Sequence, residues 1–198
     1  MSVALDDLLR AIRECRLCAQ HLAHEPRPVV VADPRARILI AGQAPGTRVH
    51  ATGIAWNDPS GENLRDWLGV TREQFYDPAS FALVPMGFCY PGKGASGDLP
   101  PRRECSETWH QSLLPTLHAI ELRVVIGQYS MRHHLGDRWK GAVTTTVRAF
   151  AEFLPTLIPL PHPSPRNRLW MRKNPWFADE LLPQLRDRVR GILLRSSC

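Results

Sequence analysis

Four of the five cysteines are placed so that they could bind a metal ion or an iron–sulfur cluster. Cys15 and Cys18 form a C-x-x-C pair, and Cys89 and Cys105 follow much later, around a glycine- and proline-rich stretch. In a reducing compartment such spacing is typical of metal ligands rather than disulfides. The spacing alone leaves three interpretations open: a cluster, a zinc site held by four thiolates, or Cys15 and Cys18 as fillers on an apolar helix face. Cys198 is predicted to be a free surface thiol.

A glycine-rich loop from Gly42 to Gly46 is the second feature that could support chemistry. It follows the apolar run Ile38 to Ile40, which is typical of a strand buried on both faces of a parallel sheet. Open α/β sheets bind ligands beyond the carboxyl ends of their strands. Gly42 and Gly46 would allow the backbone to approach such a ligand closely. The alternative is an ordinary turn between a strand and a helix.

A stiff, proline-rich loop near the C-terminus carries His162 between Pro161 and Pro163. The prolines restrict the backbone, which favours a preorganised hydrogen-bond donor, although a purely structural histidine is also possible. The segment beyond this loop is basic and suits contacts with phosphate groups. Its charged residues are Arg166, Arg168, Arg172 and Lys173, and Leu169 and Trp170 lie among them.

Strands alternating with helices are required to position these loops. Apolar runs predict strands at residues 38–40, 81–84, 122–126 and 157–160. Helical spacing and end signals predict helices at residues 5–18, 59–68, 103–119 (bent by Pro115), 128–135, 143–153 and 176–194. This alternation predicts a three-layer α/β/α fold with a four-stranded parallel sheet, as one domain over residues 1–198. The loops after the first, second and fourth strands would then meet at one edge.

The composition is that of an ordinary globular protein, with 198 residues, 43% hydrophobic and 22% charged. No apolar run is long enough for a membrane span, and the N-terminus lacks the pattern of a signal peptide. We therefore expect a monomeric, cytoplasmic protein. A net charge of +6 and a pI near 9.4 favour polyanionic partners.

Together these features resemble the uracil-DNA glycosylase superfamily, and most closely its iron–sulfur branch. Gly42-Gln-Ala-Pro-Gly46 stands where that branch has its first active-site motif, commonly G-E-A-P-G. His162-Pro-Ser-Pro165 resembles the second motif, H-P-S, and the four paired cysteines follow the spacing of the cluster ligands. The resemblance implies a glycosylase-like fold, DNA (duplex or single-stranded) as partner, and a 4Fe–4S cluster, with zinc as the alternative.

Several positions depart from the family pattern. Gln43 replaces the catalytic carboxylate of the first motif, and His50 replaces a later acidic residue. Pro85 aligns with the asparagine that reads uracil. Another branch traps its product covalently with a histidine between the last two cluster cysteines, but no histidine occurs from Tyr90 to Glu104. The fold and DNA association therefore carry over better than uracil specificity does.

Catalysis in such a site needs a positioned water and a donor to the leaving base. Gln43 can hold a water but cannot take its proton, whereas His50 could act as the base. A surface position for His50 is the alternative, and Asp58 is a weaker carboxylate candidate that could instead cap the next helix. His162 is predicted to donate to the base as it leaves.

Base and DNA contacts follow from the same resemblance. Trp56 stands where the branch has a phenylalanine that stacks on the flipped base, although a core tryptophan is the alternative. The remaining predicted contacts are Gly42 and Ala44 to the base, and Ser164, Arg166, Arg168 and Lys173 to DNA. Leu169 would fill the space left by the flipped base or lie in the core. Two functions remain open: a DNA glycosylase for uracil or another deaminated base, and an inactive protein that binds DNA or a base.

Overall fold

A computed structural model gives the structure of the protein and describes residues 3–95 and 97–195, so that Cys198 lies outside the described residues. Within those residues the strands are β1 (Ile38–Ala41), β2 (Phe81–Leu83), β3 (Lys93–Gly94), β4 (Gly97–Asp98), β5 (Leu122–Ile126) and β6 (Leu157–Leu160). The helices are α1 (Val3–Arg13), α2 (Thr47–Thr52), α3 (Pro59–Leu68), α4 (Arg72–Tyr76), α5 (Arg103–Leu113), α6 (Gly127–Leu135), α7 (Val143–Arg148), α8 (Arg168–Lys173) and α9 (Leu182–Leu194).

The central sheet is parallel, with strand order β2-β1-β5-β6. Successive side chains of β1 point to opposite faces, and both faces are buried. Ile38 and Ile40 enter one hydrophobic cluster, while Leu39 enters the other. Helices α1 and α5 contribute to the cluster around Leu39, and α3 and α9 contribute to the cluster around Ile38. This arrangement confirms the predicted α/β fold with a four-stranded parallel sheet covered by helices.

Local end signals explain why α3 has the bounds that the sequence predicts. Asp58 Oδ1 accepts a hydrogen bond of 2.8 Å from the Gly61 N–H and caps the first turn. Gly69 ends the helix in the left-handed conformation, with a φ of 68°. The alternative structural role suggested for Asp58 is therefore confirmed.

Several predicted helices are shorter than expected. Helix α1 ends at Arg13, so the first cysteine pair lies in the segment after it rather than within it. Helix α5 ends at Leu113 and gives way to a 3-10 helix, Leu114–Thr116, because a proline within the helix would lack its N–H and clash with the preceding turn. Pro115 therefore ends the helix instead of bending it.

Two further predicted helices include a turn that is not α-helical. Helix α7 passes into a 3-10 helix at Phe150–Phe153, and a π-helical turn at Phe177–Leu181 precedes α9. Helices α2, α4 and α8 and the hairpin of β3 and β4 were not predicted. No helix in the described part of the chain combines the length and apolar character needed to span a membrane.

Backbone hydrogen bonds bring the loops after β1 and β2 together. The Val84 N–H donates to Ile40 O at 3.0 Å, and the same pairing continues past the strand, where the Met86 N–H donates to Gly42 O at 2.9 Å. The Gly87 N–H then donates to Gln43 O at 3.0 Å. The glycine-rich loop is thus held by the segment after β2, at the carboxyl edge of the sheet.

Candidate active site

An open pocket of about 520 Å³ lies at this carboxyl edge. The loops after β1, β2 and β6 all contribute to its walls, as the sequence predicts. The predicted site residues that line it are Gly42, Gln43, Ala44, Trp56, His162, Ser164 and Arg166. A single concave site therefore collects most of the side chains that the two motifs supply.

The half-buried Trp56 ring forms part of the pocket wall and rests on the glycine-rich loop. A Cβ added to Gly42 would stand 2.8 Å from Trp56 Cζ2, so the ring lies directly over the bare backbone. Trp56 has a positive φ of 56°, unlike every other non-glycine residue that the structure describes. This conformation is found most often where the surrounding structure enforces it. Gly61 is needed nearby, because its Cβ would fall 1.7 Å from Trp56 O. The ring both packs against the core and faces the pocket, so the two interpretations of Trp56 are compatible.

His162 lies beside Trp56 in the pocket, with 6.0 Å between ring centroids and 34° between ring planes. Two amide side chains hold its loop. Asn167 Nδ2 donates to His162 O at 2.6 Å, and Asn63 Nδ2, on α3, donates to Pro163 O at 2.8 Å. Burial lowers the pKa of His162 below its usual value, against the opposing effect of the Asp58 and Asp98 carboxylates. The ring is therefore a neutral donor near pH 7, and Asn63 and Asn167 are positioning residues that the motifs did not reveal.

Gln43 lines the pocket, but its amide is engaged. Gln43 Nε2 donates to Leu99 O at 3.1 Å and so joins the glycine-rich loop to the residue that follows β4. The side chain thus connects two walls of the pocket. Its amide N–H₂ therefore serves in a structural contact, and the amide oxygen has no hydrogen-bond partner among the described residues.

His50 does not line the pocket, so the prediction that it activates water is not supported by its position. It lies on α2, where the preceding residue, Val49, faces the pocket instead. The His50 ring contacts His24 and Tyr90, at centroid distances of 5.3 and 6.0 Å. Burial, followed by the charges of His24 and Arg27, lowers the pKa of His50. Its surroundings are those of a packed, neutral structural histidine.

Two carboxylates and a proline complete the pocket. Pro85 lines the wall formed by the segment after β2, where the family places its uracil-reading asparagine. Asp58 and Asp98 also line the pocket, and Asp98 was missed by the sequence analysis because it lies in the unpredicted hairpin. The pocket therefore contains carboxylates, but at positions other than that of the family motif.

The basic segment after His162 forms a 3-10 turn followed by α8. Arg166 lies at the rim of the pocket, and α8 carries Arg168, Arg172 and Lys173. Among the described residues none of these four side chains has an acidic partner, whereas Arg148 and Arg190, for example, are paired with carboxylates. The Leu169 side chain is 55% exposed, so its placement in the core is wrong. The segment after the pocket loop therefore carries unpaired cations and an exposed leucine, and their contact with DNA stays a prediction.

The four predicted cysteine ligands meet at a second site. Cys15, Cys18, Cys89 and Cys105 all line one small cavity of about 20 Å³ and form no disulfide. Burial raises the pKa of Cys89 to about 11 and that of Cys105 to about 12. The Phe88 N–H points at Cys105 Sγ, at 3.3 Å, a type of contact that also stabilises ligating thiolates. Four cysteine sulfurs around one cavity are the type of donor set that a four-thiolate zinc or iron–sulfur site uses.

The cysteine side chains are nevertheless not arranged as a metal site. Over residues 3–95 and 97–195, no group of three or more histidine, cysteine, aspartate or glutamate side chains has the mutual geometry to hold a metal ion. The four cysteine sulfurs thus lie around one cavity, but the distances and directions between them are not those of metal ligands.

A family model described as the uracil DNA glycosylase superfamily matches residues 29–186. The match includes the whole parallel sheet and every residue that lines the pocket. It contains Cys89 and Cys105 but begins after Cys15 and Cys18, and it concerns the superfamily rather than one of its branches.

Proposed function

Because the chain belongs to the uracil-DNA glycosylase superfamily, we propose that it is a DNA-repair glycosylase that hydrolyses the N-glycosidic bond of a flipped, damaged base. The observation that carries this proposal is that Trp56 and His162 lie side by side in one pocket. An aromatic wall and a neutral donor are the two elements that hold a flipped base and stabilise it as it leaves.

Base extrusion costs a few kcal/mol, which the pocket must offset. Stacking on an aromatic ring contributes roughly 1–3 kcal/mol per base, and Trp56 offers the ring. As the C1′–N bond breaks, its electron pair moves to the base, which departs as an anion. The His162 N–H donates to an oxygen of that anion, in a site whose burial keeps the ring neutral.

The substrate class is proposed to be a deaminated base, with uracil disfavoured. Pro85 has no N–H and no polar side-chain atom, so it cannot pair with the edge of uracil as an asparagine would. A buried polar edge left without a partner costs roughly 1–3 kcal/mol.

A binding protein without catalytic activity is the second candidate. The contact of Gln43 with Leu99 favours it, because the residue at the family's catalytic position serves a structural bond here. Incubating the protein with oligonucleotides that carry single lesions, followed by alkaline cleavage at abasic sites, distinguishes the two. Strand cleavage supports the glycosylase, and binding without cleavage supports the second candidate.

DNA binding is expected to be electrostatic and to depend on α8. Changing both Arg168 and Lys173 to alanine should weaken binding and reduce the slope of log K against log[salt] by about 1.8, since each phosphate contact contributes about 0.9 on duplex DNA. Fluorescence anisotropy over a range of salt concentrations measures this slope. Arg190→Ala removes a cation that is already paired with Asp187 and should leave the slope unchanged. Binding that is insensitive to salt would show that the basic segment serves another purpose.

We also propose that Cys15, Cys18, Cys89 and Cys105 hold a 4Fe–4S cluster, as in the iron–sulfur branch. The convergence of the four thiols on one cavity supports this assignment, and the resemblance favours iron over zinc. Bound there, the group would supply a structural link between the segment after α1 and the loop after β2.

Anaerobically purified protein is therefore expected to be brown and to contain about four irons per chain. Cys105→Ser should abolish the colour and lower the melting temperature, because binding of the group is coupled to folding. Cys198→Ser should change neither property, since this cysteine is not in the ligand set. Colourless protein with stoichiometric zinc would contradict the cluster and leave only the ligand set.

A further inference from the structure

The hairpin of β3 and β4 carries a carboxylate, Asp98, into the pocket. We propose that Asp98 activates the attacking water in place of the missing family carboxylate, and that Gln43 is the positioning residue that holds the hairpin in place. This inference rests on the proposed glycosylase function and deepens it by naming the group that takes the proton from water.

The position of Asp98 is set by contacts on both sides of the hairpin. Lys93 pairs with Asp98 and Gly94 with Gly97 in the antiparallel ladder. The next residue, Leu99, donates its N–H to Gly92 O at 2.9 Å and accepts the Gln43 amide at 3.1 Å. The hairpin is thus tied to the glycine-rich loop immediately beside the carboxylate.

The Asp98 carboxylate lies directly over that loop. A Cβ added to Gly46 would stand 3.4 Å from Asp98 Oδ2, which places this oxygen against the end of the first motif. The carboxylate also acts electrostatically on His162, since its charge opposes the lowering of the His162 pKa. Asp98 therefore shares one pocket with the donor to the leaving base.

Asp58, the other carboxylate of the pocket, is less free to take a proton. Its Oδ1 already accepts the Gly61 N–H at 2.8 Å and caps α3. For Asp98, in contrast, no side-chain hydrogen bond or ion pair is found within the described residues. Asp98 is thus an exposed, unpaired carboxylate at the pocket, with both oxygens available to accept a proton.

The reaction balances with Asp98 as the base. The water oxygen forms a bond to C1′, one water proton passes to the Asp98 carboxylate, and the C1′–N bond breaks with its electron pair on the base. The base anion, held by the His162 N–H, then takes up that proton through solvent. The products are a free base and an abasic sugar with a hydroxyl at C1′.

Gln43 in this scheme is required as a hydrogen-bond donor. A glutamate at this position would be ionised near neutral pH and would present an acceptor to the Leu99 carbonyl. The carboxylate would repel that oxygen and release the hairpin. In this scheme the glutamine of the first motif anchors the hairpin, and the catalytic carboxylate is Asp98 on β4 instead of a glutamate at position 43.

Single-turnover excision by variants tests the inference, with the lesion that the unmodified protein cleaves as substrate. Asp98→Asn should lower the rate about 10²–10⁴-fold, the usual contribution of a general base, while DNA affinity stays the same or rises. Asp58→Asn, which retains a capping side chain, should lose far less. Gln43→Glu should lower the rate instead of raising it. Added formate should partly restore the activity of Asp98→Ala, which a purely structural role would not allow.

The outcomes distinguish a failure of the proposed role of Asp98 from a failure of the proposed glycosylase function. Excision by the unmodified protein together with full activity of Asp98→Asn would overturn the role of Asp98 and leave the glycosylase intact. A large loss in Asp58→Asn alone would give the role to Asp58. Absence of excision by the unmodified protein on every lesion would overturn the proposed function, and the inference with it.

Discussion

Replacing His162 with alanine is expected to lower the single-turnover rate of base excision about 10²–10³-fold, the usual cost of removing one preorganised donor to a developing anion. The ring is fixed by its flanking prolines and by the amides of Asn63 and Asn167, so the donor needs no reorganisation as the bond breaks. Because burial lowers the pKa of His162, the neutral ring, not the imidazolium, donates near pH 7. DNA affinity should change little, since the donor acts mainly in the transition state.

Two further variants make this result specific. His162→Asn retains an N–H donor and should recover part of the rate lost in the alanine variant. His118→Ala removes an exposed histidine that does not line the pocket and should behave like the unmodified protein. Equal rates for His162→Ala and the unmodified protein would mean that another group stabilises the leaving base.

Replacing Trp56 with alanine is expected to reduce excision about 5–150-fold, which corresponds to the roughly 1–3 kcal/mol that stacking contributes per base. Trp56→Phe keeps an aromatic face and should retain most of the rate. Gly42→Ala should act in the same direction as Trp56→Ala, because the added methyl group would lie 2.8 Å from Trp56 Cζ2 and push the ring from its place.

Fluorescence of a base analogue in the lesion position measures the stacking directly. Trp139→Phe offers a matched control, since Trp139 lies outside the pocket, beside Arg132. If Trp56→Ala excised the base at the full rate and bound the analogue normally, Trp56 would have to be assigned to the core alone.

The main elements of the fold could be predicted from the sequence because their signals are local. A continuous apolar run marks β1, and a capping aspartate and a terminal glycine mark α3. The hairpin of β3 and β4 has two-residue strands, too short for any alternating pattern, and its position depends on the distant contact between Gln43 and Leu99. Local sequence cannot reveal such a contact.

The same limit explains which site residues were found. Gly42 and His162 belong to loops that directly follow strands, so the topology brings them to one edge, whereas Trp56 was identified from the family resemblance. The sequence left the role of His50 open because α2 was not predicted. Successive residues of a helix point about 100° apart, so Val49 faces the pocket and His50 faces Tyr90. Asp98 could be found only after the hairpin had been placed.

The most direct test of the central claim is a single-turnover assay on oligonucleotides that each carry one uracil, hypoxanthine, xanthine or oxidised base, in single- and double-stranded form. After alkaline treatment, we predict strand cleavage at the lesion for at least one deaminated base, with uracil a poor substrate. A parallel preparation of His162→Ala should be nearly inactive, which excludes a contaminating glycosylase. Intact strands with every lesion, under conditions where the protein binds the same DNA, would contradict the glycosylase and leave a binding protein with a glycosylase fold.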